Sequence, residues 1–158
     1  MSVNLKEGLQ GVSANDMHVT AIKQIKSLVD GETDMIANMA NTAACLYHTF
    51  HYFWVGFYIH KNNQLVLGPF QGPVACTRID LNKGVCGHAA TTQQTVIVPD
   101  VHQFPGHIAC SAESQSEIVI PFVKENRTIF VLDVDSKQLD YFNEKDQQFL
   151  EEVVQLLV

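Results

Sequence analysis

Hydrophobic and polar positions follow two different periods along this chain, and the change of period divides it. From residue 16 to about 50, apolar positions recur at helical spacing. In NDMHVTAIKQIKSLVDG, Val19, Ile22, Ile25, Lys26 and Val29 fall near one face. Asn15 or Asp16 stands where a cap is needed, and Gly31 where the helix should stop. A second stripe, made of Ile36, Met39, Ala40, Ala43, Leu46 and Tyr47, runs through ETDMIANMANTAACLYHTF behind a cap at Thr33 or Asp34.

Beyond residue 51 the pattern turns to short β-rich runs. YFWVGFYIH and QLVLGPF flank KNN, a turn suited to closing a hairpin, and PVACTRID reads as a third strand. NKGVCGHAATTQQ predicts a glycine turn and a small-residue helix, and TVIVPD another strand. EIVIPFVK and RTIFVLDVDS form a second hairpin across ENR, and NEKDQQFLEEVVQLLV a closing helix that buries Phe149, Leu150, Val153, Leu156 and Leu157. Between these elements, VHQFPGHIACSAESQS has neither period; a connection of that length in a compact domain is more often functional than incidental. Since hairpins dominate, the expected fold is α+β: about six mainly antiparallel strands, with the N- and C-terminal helices packed on one face and loops enclosing a pocket on the other. The expected organisation is one domain over 1–158, with residues 1–15 a flexible or loosely packed segment.

Composition narrows the function. A chain of 158 residues with 46% hydrophobic and 17% charged positions has enough apolar material to build its own core. With ten basic residues scattered and a net charge of −7, it lacks the clustered Lys and Arg that a nucleic-acid footprint needs. MSVNLKEGLQGVSAND carries no basic region followed by an apolar one, and no apolar run approaches the ~18–20 residues of a membrane span. A cytoplasmic setting follows as the expectation. Thiols stay reduced there, so Cys45, Cys76, Cys86 and Cys110 read as packing, metal-binding or redox residues rather than as a disulfide framework.

The four cysteines are not equivalent. Cys45 lies beside a helical apolar stripe and reads as a small core hydrophobe. Cys76, Cys86 and Cys110 are flanked by turn or small residues, with Cys110 inside the long aperiodic segment. Zinc held by these three with His88, His102 or His107 is the rival reading. It lacks the close C-x2-4-C pair by which one turn presents two donors, so no metal is expected.

Acidic residues supply the second clue. In FVLDVDS, Asp133 and Asp135 are two apart on a strand and leave the same face as Val131, opposite Leu132 and Val134. Two neighbouring carboxylates on an apolar strand repel unless a cation lies between them, and a ligand ammonium would serve. Glu117 opens the strand that should pair with this one and so joins the cluster. Nearby carboxylates disfavour a thiolate, which suits a reaction in which the substrate is activated by an acid of raised pKa.

Taken together, GETDMIANMANTAACLY, WVGFY, LVLGPFQGPVAC, GVCGHAA, VPDVHQFPGHIAC, SEIVIP and VLDVDS resemble the free methionine-(R)-sulfoxide reductases, which are single GAF domains. The resemblance runs from about residue 18 to 158, and DVHQFPGHIACSAESQSEIVIP is its most specific part. It implies a GAF-like fold and thiol-dependent reduction of free L-methionine-(R)-sulfoxide through a cysteine sulfenic acid and an intramolecular disulfide, recycled by thioredoxin. No bound cofactor is implied, and the relatives suggest a homodimer. By motif, Cys110 is the nucleophile and Cys76 the resolving thiol. Cys86 belongs to the same trio, and which of Cys86 and Cys110 attacks first stays open, with Cys110 preferred. Trp54 would pack on the substrate methyl, while Glu117, Asp133 and Asp135 would hold the amino acid and polarise the sulfoxide.

Two positions depart from the family pattern: Phe130 where glycine is common, and Phe53 where asparagine is. By parity with Leu132, Phe130 should point away from the pocket. The competing reading is a non-catalytic GAF sensor of small molecules or redox state, against which the loop cysteines speak.

Overall fold

A computed structural model describes residues 13–107 and 110–158. Of the segment expected to be loose, residues 1–12 lie outside the described residues, whereas Ala14 and Asn15 already belong to helix α1 (Ala14–Val29). The cap of α1 is Ser13 rather than Asn15 or Asp16. Ser13 Oγ accepts the Asp16 N–H at 3.2 Å and its hydroxyl donates to the Asp16 carboxylate, so Asp16 completes the first turn instead of preceding it.

The apolar stripes also need correction. On α1 the buried residues are Ala21, Ile22 and Ile25, while Val19 is half exposed and Lys26 is solvated. α1 packs chiefly on α2 and α4, so its contact arc is narrower than the stripe. Helix α2 (Met35–Phe50), capped by Asp34 as expected, packs on α1 and on the sheet. Its buried arc therefore takes in Asn38 and Thr42 besides Met39, Ala43, Cys45 and Leu46, and leaves Ile36 and Ala40 outside. Burying Asn38 is tolerable because its amide donates to the Glu32 carbonyl at 3.2 Å.

Six strands follow: β1 (Trp54–Lys61), β2 (Gln64–Gln71), β3 (Arg78–Asp80), β4 (Val96–Val98), β5 (Ser116–Lys124) and β6 (Arg127–Ser136). They form one sheet in the order β3-β2-β1-β6-β5-β4, and every neighbouring pair is antiparallel. Both hairpin turns use paired left-handed residues, Asn62–Asn63 and Glu125–Asn126, whose twist matches that of the strands they join. Only the end of PVACTRID is strand. Pro73 has no N–H to give a ladder, and the Cys76 carbonyl accepts the Tyr58 hydroxyl at 2.9 Å instead of a strand partner.

The chain travels from edge β3 to the opposite edge β4 through helix α3 (Gly84–Thr92), which packs on β5 and β6. α3 therefore covers the sheet face that loops alone were expected to cover. Helices α1, α2 and α4 (Glu144–Gln155) take the other face, with α4 started by a reciprocal cap between Asn143 and Asp146. Strand parity separates two cores. Val55, Phe57, Ile118, Ile120, Phe130 and Leu132 meet the three helices, whereas Tyr58, Val85, Cys86, Val98, Val119 and Val131 form a smaller core under α3. Phe130 is fully buried on the helical side and points away from the pocket, as its parity requires. No helix among the described residues is long and apolar enough to cross a membrane.

Candidate active site

Register decides which side chains meet on the face under α3. On β6, Asp133 and Asp135 share that face with Val131. Asp135 pairs with Glu117 of β5 on one side and Trp54 of β1 on the other, and Asp133 pairs with Val119 and Gly56. Cross-strand partners point the same way, so Glu117, Asp135 and Trp54 form one row and Val119, Asp133 and Gly56 the next. Gly56 is required by packing. A Cβ there would lie 2.4 Å from Phe70 Cβ and 2.6 Å from the Trp54 ring, so hydrogen at this position lets the indole lie along β1. The indole stacks between Phe70 and Tyr58, and its N–H donates to the Pro73 carbonyl at 3.0 Å.

Helix α3 supplies the thiol. Its start at Gly84 needs a left-handed φ of 64°. At Gly87 a Cβ would come within 2.6 Å of the Asp80 carbonyl, so the helix lies against the end of β3. Cys86 is thereby buried facing the sheet, with Sγ 4.0 Å from Glu117 Oε1.

The resulting cluster is poor in cations. Glu117 and Asp133 are 6% and 7% exposed, and among the described residues neither they nor Asp135 forms an ion pair. Lys83 lines the same cavity but pairs with Asp80 at 3.1 Å. Burial first, then the charges of Asp133 and Asp135, push the Glu117 carboxyl well above the usual carboxylate range. Burial raises Asp133 to about 6, with the side chains of Glu117 and Cys86 drawing it part of the way back. Asp135 is raised by burial and by Asp133, against a 2.5 Å hydrogen bond from Ser114 Oγ. The Cys86 thiol is pushed up by burial and then by the three acids, so it is held as a thiol.

Cys76 and Cys110 are joined in a disulfide, with Cα atoms 5.6 Å apart. Cys110 is exposed and lines the mouth of a cavity of about 60 Å³ whose inner wall carries Cys86, Glu117, Asp133 and Asp135. Trp54 and Phe53 line it on the β1 side. Every residue expected at the site from the sequence, apart from Cys76, therefore borders one cavity, and Cys76 is tied to it through Cys110. Cys45 is buried on the helical side, as a packing residue would be. Of the expected motif HIAC, Ile108 and Ala109 lie outside the described residues. The zinc set weighed above does not assemble, since Cys76 and Cys110 bond to each other and His88 is exposed. The group of metal-ligand type that does assemble is Cys86, Glu117 and Asp133.

The long connection is more ordered than its lack of period implies. It opens with a 3-10 turn (Val101–Gln103) whose Val101 is fully buried, and its ends are fastened by Val101 N–H to the Gln115 carbonyl and Gln115 N–H to the Ser136 carbonyl. Glu113 pairs with Lys137, whose ammonium lies 4.8 Å from the centre of the Phe53 ring. Three further residues belong to the site. Tyr58 holds the Cys76 carbonyl, Ser114 holds Asp135, and half-buried His107 lines the cavity. Tyr58 was legible, being four positions after Trp54 on the same strand face; Ser114 and His107 sit where no period exists to place them.

This arrangement offers a proton donor of raised pKa, further carboxyls whose ionised form a bound ammonium would favour, and a dithiol–disulfide couple at the mouth. Comparison with known proteins places the chain in a family. Residues 30–158 match the family model described as GAF domain. The chain is 51% identical over 146 residues to GAF domain-containing protein A of Dictyostelium discoideum, covering 92% of each chain. It is 47% identical over 133 residues to the free methionine-R-sulfoxide reductase of Escherichia coli, covering 84% of this chain and 81% of that one. Its fold superimposes with a TM-score of 0.90 on free methionine-R-sulfoxide reductase from Neisseria meningitidis in complex with its substrate, at 47% identity over 94% of this chain and 90% of that one.

Proposed function

Because this chain belongs to the GAF-domain family and, within it, to the free methionine-R-sulfoxide reductases, we propose that it reduces free L-methionine-(R)-sulfoxide to methionine with Cys110 as nucleophile. The observation that carries the reading is the placement of Cys110, bonded to Cys76, at the mouth of a cavity walled by Glu117, Asp133 and Asp135.

In the reduced enzyme the substrate enters with its ammonium toward Asp133 and Asp135 and its methyl against the Trp54 indole. Cys110, as thiolate, attacks the sulfoxide sulfur while protonated Glu117 delivers its proton to the oxygen. The oxygen passes to Cys110 as sulfenic acid and methionine leaves; the proton Cys110 gave up balances the one Glu117 supplied. The Cys76 thiol then condenses with the sulfenic acid, releasing water and forming the disulfide, whose 5.6 Å Cα separation lies within the reach of such a bond. A thioredoxin-type dithiol restores both thiols and leaves as a disulfide. Such a reductant suits the reducing, cytoplasmic setting proposed for the enzyme. No bound organic cofactor or metal takes part. Partly exposed Val19, Leu28 and Ile36 give the helical layer apolar surface for the homodimer we propose, which sedimentation equilibrium tests.

Acting on the free amino acid follows from the same geometry. A peptide bond would remove the ammonium that the acids require and add bulk at the mouth. The test is NADPH consumption coupled through thioredoxin and its reductase. Free methionine-R-sulfoxide should support turnover, with little from the S epimer. Equal rates on both epimers, or activity confined to peptides, would overturn the proposal. Cys110→Ser should abolish turnover; binding without turnover in the unmodified enzyme would favour a sensor instead.

A further inference from the structure

Cys86 has no step of its own in the reaction above, yet it is buried against two carboxyl groups. Donor atoms of Cys86, Glu117 and Asp133 lie within 4.8 Å of one another, and all three residues are buried. A second observation marks the same place as incomplete. Asp133 is only 7% exposed, and its Oδ1 accepts no hydrogen bond from any described residue. A buried oxygen left so is costly unless something with positive charge or a proton reaches it.

We infer that Cys86, Glu117 and Asp133 form a binding site for a borderline-soft divalent cation of the zinc type, and that filling it closes the pocket to substrate. One sulfur and two carboxylate oxygens are a donor set that zinc accepts, with the fourth position left to water. Bonds of about 2.3 Å to sulfur and about 2.0 Å to oxygen, at a tetrahedral angle, put sulfur and oxygen about 3.5 Å apart. The observed 4.0 Å between Cys86 Sγ and Glu117 Oε1 exceeds this by about half an ångström and the donors spread over as much as 4.8 Å, so binding requires side-chain rotation to draw them together. Binding expels the protons of Cys86 and Glu117, so one ion meets three anionic donors. Calcium and magnesium are disfavoured, since both ask for more oxygen ligands and neither gains from a thiolate. The ion is not part of turnover: it would occupy the place where the sulfoxide oxygen meets Glu117. The site stands on the three side chains themselves; only its inhibitory consequence rests on the proposed reaction.

Cobalt(II) reports the ligands directly. In the oxidised protein Cys76 and Cys110 are locked in their disulfide, and the other free thiol, Cys45, lies on the helical side of the sheet. Titration of oxidised protein with cobalt should produce a thiolate-to-metal charge-transfer band that saturates at one ion per chain and is reversed by zinc. Cys86→Ala should lose the band entirely; Glu117→Gln, which keeps the thiol should Cys86→Ala fail to fold, should keep the band but weaken binding at least tenfold. Zinc added to pre-reduced protein freed of thiol buffer should suppress the single turnover of methionine-R-sulfoxide, and a chelator should restore it. No band in the unmodified protein, an unchanged band in Cys86→Ala, or single turnover undiminished at saturating zinc would overturn the inference. Absence of turnover before any zinc is added would count against the reductase reading alone, and the spectroscopic titration would then decide the metal site by itself.

Discussion

Glu117 is pushed toward its protonated form because it is buried beside two other acids and forms no ion pair among the described residues. A carboxylic acid held in this way is a donor at neutral pH, and the proposed protonation of the sulfoxide uses that capacity. Glu117→Gln retains shape and polarity but cannot give up a proton. It should lower kcat by roughly 10²- to 10⁴-fold, with a smaller change in KM, in the coupled assay. The same burial has a cost in stability, and its sign is fixed. Asp133 titrates at 3.8 when unperturbed and at about 6 in the fold, so between these values the folded chain binds the proton that the unfolded chain has released. Its contribution is present below pH 4 and is lost as pH rises through 6. Glu117 and Asp135 are raised as well and add to the decline in the same sense. Asp133→Asn should therefore be more stable than the unmodified protein at pH 8, by roughly 1–3 kcal/mol, and should show a flatter pH profile between 4 and 7 in thermal unfolding. An equal or lower melting temperature at pH 8 would mean that the acid cluster carries no strain.

Helix α3 is the element on which the site turns, and a small residue sets how near it lies. Intrinsic propensity alone makes alanine at Gly87 worth about 1 kcal/mol of added stability. Contact with the Asp80 and Leu81 backbone predicts the reverse, because a Cβ there lies 2.6 Å and 2.9 Å from main-chain oxygens that cannot swing aside. Gly87→Ala should destabilise by about 1–3 kcal/mol in denaturant unfolding, and it should lower activity by lifting Cys86 off Glu117. This element also shows where the sequence could be read and where not. The glycine turn and small-residue helix of NKGVCGHAATTQQ were legible, as were both hairpins, whose period and Asn-containing turns are local signals. Which face α3 would cover was not, because its residues are small on every side and no stripe points to a partner. The helical stripes misled at Val19 and Ile36 for a related reason: contact arcs are set by neighbours, here α1 packing chiefly on the two other helices and α2 wedged between α1 and the strands. Alternation placed Asp133 and Asp135 on one face without any such help, whereas Trp54 came from the family resemblance and its place beside Asp135 from the register of β1 on β6. Pairing of Cys76 with Cys110 came from family resemblance and not from spacing, since residues 34 apart meet only once the sheet and the aperiodic segment are folded.

The molecule as a whole is a sheet with unequal sides. Three helices and large aromatic and aliphatic residues fill one, while the other holds a shorter helix, a small core and a pocket closed by an irregular segment. The disulfide lies entirely on the weaker side, where it ties the segment after β2 to the one before β5 across 34 positions. By the chain-entropy model, a loop of that length contributes up to about 4 kcal/mol through the unfolded state. Reduction should lower the melting temperature accordingly, and the loss should be uneven. Beyond Val101 and Gln115, the bonded backbone amides of Val101 to His107 and Cys110 to Gln115 have only local partners. Gln103 bonds to Asp100, Phe104 to Val101, His107 to Phe104, and His102 and Glu113 to the side chains of Asp100 and Ser111, so the segment depends most on the tether. Hydrogen exchange followed by mass spectrometry, on oxidised and freshly reduced protein, measures this directly. Peptides covering the aperiodic segment and residues 72–77 should exchange at least tenfold faster after reduction, while those from α2, β1 and β6 should be unchanged under conditions far from global unfolding. In the proposed cycle substrate enters the reduced form, so loosening of the segment on reduction would open the pocket at the stage that binds substrate. Equal protection of the segment in both redox states would show that its pinned ends, and not the disulfide, hold it over the acids, and the gate would then have to be sought at the Lys137–Glu113 pair beside Phe53.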